Sequence, residues 1–172
     1  MNQIRPDRTR YSSNGARNAL LTGNATTALI TCDLDPKWRK ERKYERLFFL
    51  DEPTALAAGH RPCNRCRRSK LNDFRTAWKS AGLGDGTTGN VDSTIKQQLG
   101  KTHEMVARQI PDGTIVRHDE EFQLVYESHL HTWTPSGYTD RSPLPEGSLC
   151  VVTPGCIVET LSAGYSPEAS HG

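Results

Sequence analysis

Short apolar runs alternate with polar, glycine-containing segments along this chain, and the first clear run predicts a strand followed by a helix. Residues 47–50 are apolar and too few to form a helix alone, which favours a strand. Asp51 offers a capping oxygen, and Pro53 suits a first helical turn because its missing N–H is not needed there. We therefore predict a helix over 54–58 that ends at Gly59.

A second helix is predicted over 67–81, because its apolar residues recur with helical spacing. They are Leu71, Phe74, Ala77, Trp78 and Ala81, and Gly82 follows as the stop. The glycine-rich stretch 83–90 predicts a linker, and 91–109 predicts a third helix with Asp92 as its cap.

Beyond residue 110 the pattern predicts strands, since β-branched and aromatic residues cluster between turn signals. The predicted strands are 114–117, 122–126, 129–133 and 149–153, followed by a short helix over 154–163. His129 and His131 share one face of a strand, which is more typical of a solvent-facing pair than of half a metal site. The predicted fold class is α+β, with a small mixed sheet, flanking helices and a β-rich C-terminal half.

Charge divides the chain into a basic and an acidic half, although the net charge at pH 7 is only +2. Residues 1–80 hold 17 Lys/Arg and 8 Asp/Glu, giving +9, whereas 81–172 hold 5 and 12, giving −7. A basic half of this kind favours contact with a polyanion. Attraction between the two halves is the alternative, and charge alone does not choose between them.

Composition and cysteine usage suggest a metal-binding protein of the cytoplasm. The hydrophobic fraction is 34%, no apolar run approaches the length of a membrane span, and no secretory signal is visible. Five cysteines are an odd number for disulfides, and Cys63-x-x-Cys66 has the spacing of two thiolates on one zinc ion. Cys150 and Cys156 lack metal spacing and are expected to be buried thiols.

The segment 49–66 reads Phe-x-x-x-x-x-Ala-x-Ala-Ala-Gly-x-Arg-Pro-Cys-x-x-Cys. In order and spacing it resembles the metal-binding module at the N-terminus of the Ada DNA-repair proteins. The likeness covers about residues 27–78 and implies a zinc knuckle in the N-terminal half. It also implies that Cys32, which lies 31 residues before Cys63, is a zinc ligand and the acceptor of a methyl group from a DNA phosphotriester.

The resemblance fails at the family's second cysteine, where this chain has Pro36. Cys32, Cys63 and Cys66 therefore need another ligand for a single zinc ion. Asp35 and His60 are the main candidates, Asp33 and the more distant His103 are weaker ones, and water would leave the site open. With fewer thiolates the sulfur is a poorer nucleophile, so we expect no methyl transfer by Cys32.

Two basic clusters are candidates for contact with the DNA backbone. The cluster at 37–46 interleaves Trp38 and Tyr44 among basic residues that include Lys37, Arg39 and Lys40. The second surrounds the start of the predicted helix and consists of Arg65, Arg67, Arg68 and Lys70. Because cations are unfavourable at a helix N-terminus, their presence there suggests a bound phosphate. Solvated surface charge is the competing interpretation for both.

These observations favour a zinc-binding, DNA-associated protein that binds DNA largely without sequence preference. The predicted organisation is a basic arm (1–26), an Ada-like zinc subdomain (27–82), a linker (83–90) and a helix plus β-rich acidic subdomain (91–172). Three alternatives remain. The first is a structural zinc knuckle in a protein-interaction module that docks through the acidic half. The second is a methyl-accepting repair protein or open-site zinc hydrolase, and the third is a relic of the Ada-like module that has lost its metal.

The segment 56–62 has an echo at 161–167, since both read Leu-x-Ala-Gly-x-x-Pro. In the second copy Glu168 and His171 stand where the first has Cys63 and Cys66. The shortness of the pattern favours a shared local structure over a second metal site.

Overall fold

The fold is α+β, with four α-helices and one sheet in the residues that the computed structural model describes, 49–64 and 67–170. The α-helices are α1 (Glu52–Ala57), α2 (Arg68–Ser80), α3 (Thr88–Gln98) and α4 (Gly155–Ser162). A single turn of 3₁₀-helix covers Ala107–Gln109. In the described ranges, every helix is too short or too polar to cross a lipid bilayer.

All six strands of the sheet lie C-terminal to α3, which confirms a β-rich C-terminal half. They are β1 (His103–Val106), β2 (Thr114–His118), β3 (Glu121–Tyr126), β4 (His129–Thr134), β5 (Gly137–Pro143) and β6 (Ser148–Val151). Their order across the sheet is β1-β6-β2-β3-β4-β5, and every described pair is antiparallel. The expectation of a mixed sheet was therefore wrong, because tight hairpins join β2 to β5 in succession and β6 pairs antiparallel with both β1 and β2.

Alternating residues of the sheet supply two separate cores. Ile115 and Leu124 are fully buried on one face, where they pack with Leu50 and Ala57 of the α1 region. The opposite face buries residues such as Val116, against the α4 region. The period-two alternation of strands thus places helices on both sides of the sheet.

A third core lies between the helices and joins residues from both sides of the predicted linker. Phe74 and Trp78 of α2 are fully buried, and their rings stack with centroids 5.8 Å apart. They share a cluster with Val91 of α3 and Ile157 of α4. Burial of large aromatic rings makes this cluster a main source of stability.

Two sequence predictions need correction in this region. The predicted helix 91–109 begins earlier and ends at Gln98, since Gly100 adopts φ +76° and the chain continues as β1. Its cap is Thr87, whose hydroxyl accepts a hydrogen bond from the Asn90 amide at 3.4 Å, rather than Asp92.

Strand β5 was not predicted, because it is a mostly exposed edge strand without apolar alternation.

The echo between 56–62 and 161–167 is a shared helix end. The Gly59 amide donates to Leu56 O at 2.9 Å, and the Gly164 amide donates to Leu161 O at 3.0 Å. The next amides bond five residues back in both copies, with distances of 2.9 Å and 3.2 Å. Both glycines have positive φ, as this type of C-terminal cap requires.

Gly59 also lies close to the C-terminal end of α3. Its φ is +84°, and a Cβ placed there would lie 2.7 Å from Leu99 Cδ1 and 3.4 Å from Ile95 Cγ2. Gly82 has a similar φ of +73°, but a Cβ there would meet nothing within 4 Å. Alanine substitutions at the two glycines therefore distinguish the free-energy cost of a left-handed backbone from the cost of steric crowding.

We expect Gly82→Ala to lower the free energy of unfolding by about 1–2 kcal/mol, because alanine is strained in the left-handed region. Gly59→Ala should lower it by a further 1–3 kcal/mol, roughly, because the methyl group also overpacks the α1–α3 contact. Urea denaturation measures both values. Equal losses for the two variants would show that α3 moves aside without cost.

Candidate functional site

The structure describes two of the predicted zinc ligands, Cys63 and His60, on the segment that joins α1 to α2. Cys32, Asp35 and Cys66 lie outside the described residues, as does Asp33. The other distant candidate, His103, lies on β1. Within the described ranges, no group of three or more His, Cys, Asp or Glu side chains is arranged to hold a metal ion.

Cys63 lies on the segment between the capped end of α1 and the start of α2. After the helix end at Gly59 the chain passes the buried Pro62 and reaches Cys63, whose side chain is half-buried. The Cys63 carbonyl accepts a hydrogen bond from the Arg67 amide at 2.9 Å, immediately before α2 begins. The backbone that carries this cysteine is therefore fixed at both ends.

His60 packs as a side chain of the protein interior. Its ring lies 5.0 Å from the ring of Phe49, beside a small cluster that includes Ala55 and Ala58. Burial lowers the pKa of His60 from its ordinary value, although the negative charge of Asp92 acts in the opposite direction. A neutral imidazole suits both a packed histidine and a metal ligand.

An ion pair ties the same segment to α3. Arg61 Nε donates to Asp92 Oδ1 at 2.6 Å, and its Nη2 donates to Asp92 Oδ2 at 3.1 Å. This fork-to-carboxylate geometry fixes orientation better than a single contact does. Asp92, which was predicted as a helix cap, instead holds the turn that carries His60 and Cys63.

Two members of the basic cluster at the start of α2, Arg67 and Lys70, are paired with the C-terminal segment. Arg67 Nη2 lies 2.7 Å from Glu168 Oε2 and 3.4 Å from Glu52 Oε2. Lys70 Nζ lies 3.2 Å from Glu168 Oε1 and also donates to the Ser166 carbonyl at 3.3 Å. The hydrogen bonds from Arg67 and Lys70 lower the pKa of Glu168 below its ordinary value.

Arg68 differs from its two neighbours, since it is exposed and forms no ion pair with a described residue. Arg65, Lys37, Arg39 and Lys40 lie outside the described residues. At Arg67 and Lys70, therefore, basic residues of the first half bind an acidic residue of the second. Charge attraction between the halves, the alternative left open by the sequence, accounts for these two side chains.

Asp51 holds a second set of polar contacts that the sequence predicted only in part. It caps α1 as expected, accepting from the Thr54 amide at 2.9 Å. Its other oxygen accepts from the Tyr138 hydroxyl at 2.8 Å and from the Ser170 amide at 3.1 Å. Burial and the charge of Asp51 raise the pKa of Tyr138 well above its ordinary value, so the phenol stays protonated and donates.

Glu52 is equally buried and was not predicted to have a role. It accepts hydrogen bonds from the Tyr165 hydroxyl and, at 2.9 Å, from the Glu168 amide. Its own amide donates to the Glu168 carbonyl at 3.2 Å. Burial and the charge of Glu52 raise the pKa of Tyr165. Such contacts, more than 100 residues apart in sequence, leave no local signal.

The remaining candidate residues of the C-terminal half form no metal site in the described part of the chain. His129 and His131 lie opposite Tyr126 and Leu124 on one face of β3–β4, which confirms that they share a face. Cys156 is buried, and its burial raises the pKa of the thiol to about 11. Cys150 is half-buried. The Cys156 thiol therefore stays protonated at neutral pH and is a poor nucleophile.

We expect Tyr165→Phe to lower the free energy of unfolding by about 1–3 kcal/mol, because the buried Glu52 loses a donor while the ring contact with Phe74 is kept. Glu168→Gln should cost only about 0–1 kcal/mol, because its side chain is exposed and its ion pairs are screened. Chemical denaturation tests both. If Tyr165→Phe leaves the free energy of unfolding unchanged, the buried hydrogen bond between Tyr165 and Glu52 does not contribute to stability.

No family model, curated protein or solved structure matches this chain. The likeness of residues 49–66 to the Ada-type module therefore rests on the residue pattern alone.

Proposed function

We propose that this chain is a zinc-binding, DNA-associated protein whose N-terminal half resembles the Ada metal-binding module. Cys32, Cys63 and Cys66 would hold one zinc ion, with Asp35 or His60 as the fourth ligand. The observation that carries the proposal is the fixed turn at Cys63, set between the capped end of α1 and the start of α2. A cysteine on such a turn is suited to a metal knuckle.

The donor types of the proposed ligands fit zinc. Thiolates together with an imidazole or a carboxylate form the usual tetrahedral set for this metal. His60 meets the requirement for a neutral ring, since burial lowers its pKa. When bound, zinc would keep the thiols deprotonated and cross-link the segment before α1 to the start of α2. Metal binding at such a site contributes directly to folding stability.

We expect the purified, reduced protein to contain about one zinc ion per chain, as three cysteines fit one tetrahedral site. Cys63→Ser should lower both zinc content and melting temperature, because metal affinity is coupled to folding. Cys150→Ser is the matched control and should change neither. Elemental analysis and thermal denaturation measure the two quantities. Protein that contains no zinc and is unaffected by chelator would exclude the proposed site.

DNA contact is proposed to go mainly to the phosphate backbone. Arg68 supports it, because it is exposed beside Arg67 and Lys70 and forms no ion pair with the described residues. The net charge of +9 over residues 1–80 adds a long-range attraction to any polyanion. Contacts of this kind supply affinity without sequence preference.

A protein-interaction role is the second candidate, and the hairpin ends of the sheet favour it. Asp119 and Glu120 are exposed at the β2–β3 turn, and Glu127 is exposed at the β3–β4 turn. These carboxylates could bind a basic partner. If the protein binds no DNA at any salt concentration, this role is favoured.

We expect binding to duplex DNA to weaken steeply with salt and to vary little with sequence, because counterion release drives it. Arg68→Glu should reduce affinity for all sequences alike. Arg117→Glu changes the same charge on an exposed position of β2 and is the control. Fluorescence anisotropy over a salt series gives both affinities. Equal losses in the two variants would mean that Arg68 has no local role.

A further inference from the structure

The side chain of Glu168 bridges Arg67 and Lys70, two of the three basic residues that the structure describes at the start of α2. Its two carboxyl oxygens lie 2.7 Å from Arg67 Nη2 and 3.2 Å from Lys70 Nζ. The two non-bridging oxygens of a phosphodiester would present the same kind of acceptor to these donors. A backbone phosphate would therefore compete with the carboxylate for Arg67 and Lys70.

The backbone of Glu168 is firmly held, whereas its side chain is not. Its amide and carbonyl both bond to Glu52, and the neighbouring Pro167 packs against Gly113. The side chain itself is 61% exposed and has the two cations as its ion-pair partners in the described residues. Rotation about its own bonds would release Arg67 and Lys70 without moving the C-terminal segment.

Arg67 and Lys70 would each keep one polar contact after this rotation. Arg67 keeps Glu52 at 3.4 Å, and Lys70 keeps the Ser166 carbonyl at 3.3 Å. Both side chains are already partly buried, at 18% and 28% exposed, and so lose little freedom when an anion binds. The result is a preformed pair of donors beside the exposed Arg68.

We propose that Glu168 is an intramolecular competitor that occupies Arg67 and Lys70 until the phosphate backbone of a nucleic acid displaces its carboxylate. The inference rests on the proposed DNA association and adds an autoinhibitory contact to it. Exposed ion pairs are weak, and a polyanion gains from counterion release in addition to direct contact, so displacement is feasible. Single phosphates and weak anions would be excluded, which limits binding to extended polyanions.

The test compares Glu168→Gln with Glu146→Gln, which removes the same charge from an exposed loop position. Binding of a short duplex DNA is measured by anisotropy over a salt series. Glu168→Gln should bind several-fold more tightly at low salt than Glu146→Gln does. The slope of log affinity against log salt concentration should equal that of the wild type. The wild type forms the same phosphate contacts through Arg67 and Lys70 once its carboxylate is displaced.

A second arm identifies the cations involved. In the Glu168→Gln background, Lys70→Gln should remove one phosphate contact and reduce the salt slope by about 0.9. Melting temperatures close to that of the wild type show that each variant is folded.

The outcomes separate this inference from the proposed function. If wild type, Glu168→Gln and Glu146→Gln all fail to bind DNA at low salt, the proposed DNA association is wrong. If the wild type binds and is weakened by Arg68→Glu, but Glu168→Gln behaves like Glu146→Gln, the competitor is disproved and DNA association stands. A Lys70→Gln change without effect on the slope in the Glu168→Gln background would also overturn the inference.

Discussion

Two adjacent buried carboxyl groups, Asp51 and Glu52, hold the described structure together. They stand at the start of α1 and receive hydrogen bonds from β5 and from the C-terminal segment. A buried carboxyl group costs free energy unless its oxygens are bonded, so each contact depends on the others being present. Through them the segment that carries Cys63 is fixed to the end of the described chain, and α1 is held against the sheet.

This arrangement changes the meaning of the charge asymmetry. The sequence predicts Arg67 and Lys70 as contacts for the DNA backbone, but in the described structure they complete the same polar network through Glu168 and Glu52. The basic cluster is therefore partly a structural feature, and its capacity for phosphate depends on one exposed carboxylate. Charge totals describe long-range attraction, whereas the local ion pairs decide which side chains are available.

Local signals in the sequence predicted the helices well where capping residues and apolar spacing agreed. Asp51, Pro53 and Gly59 set α1, and the spacing of Leu71, Phe74 and Trp78 set α2. The third helix was extended too far because the apolar residues of β1 continued its pattern past Gly100. Strand β5 and the role of Glu52 were missed, since both depend on residues distant in sequence rather than on their own neighbours.

The two similar helix ends show where such prediction stops. Both have the same capped glycine, and Cys63 and Glu168 each lie four residues beyond it. One position carries a thiol, and its carbonyl bonds to the start of α2, whereas the other carries a carboxylate bound to two cations. The shared motif determines the same backbone conformation in both copies. The residues that surround positions 63 and 168 in the fold determine what each side chain can bind. The two turns meet at the start of α2, where both contact Arg67.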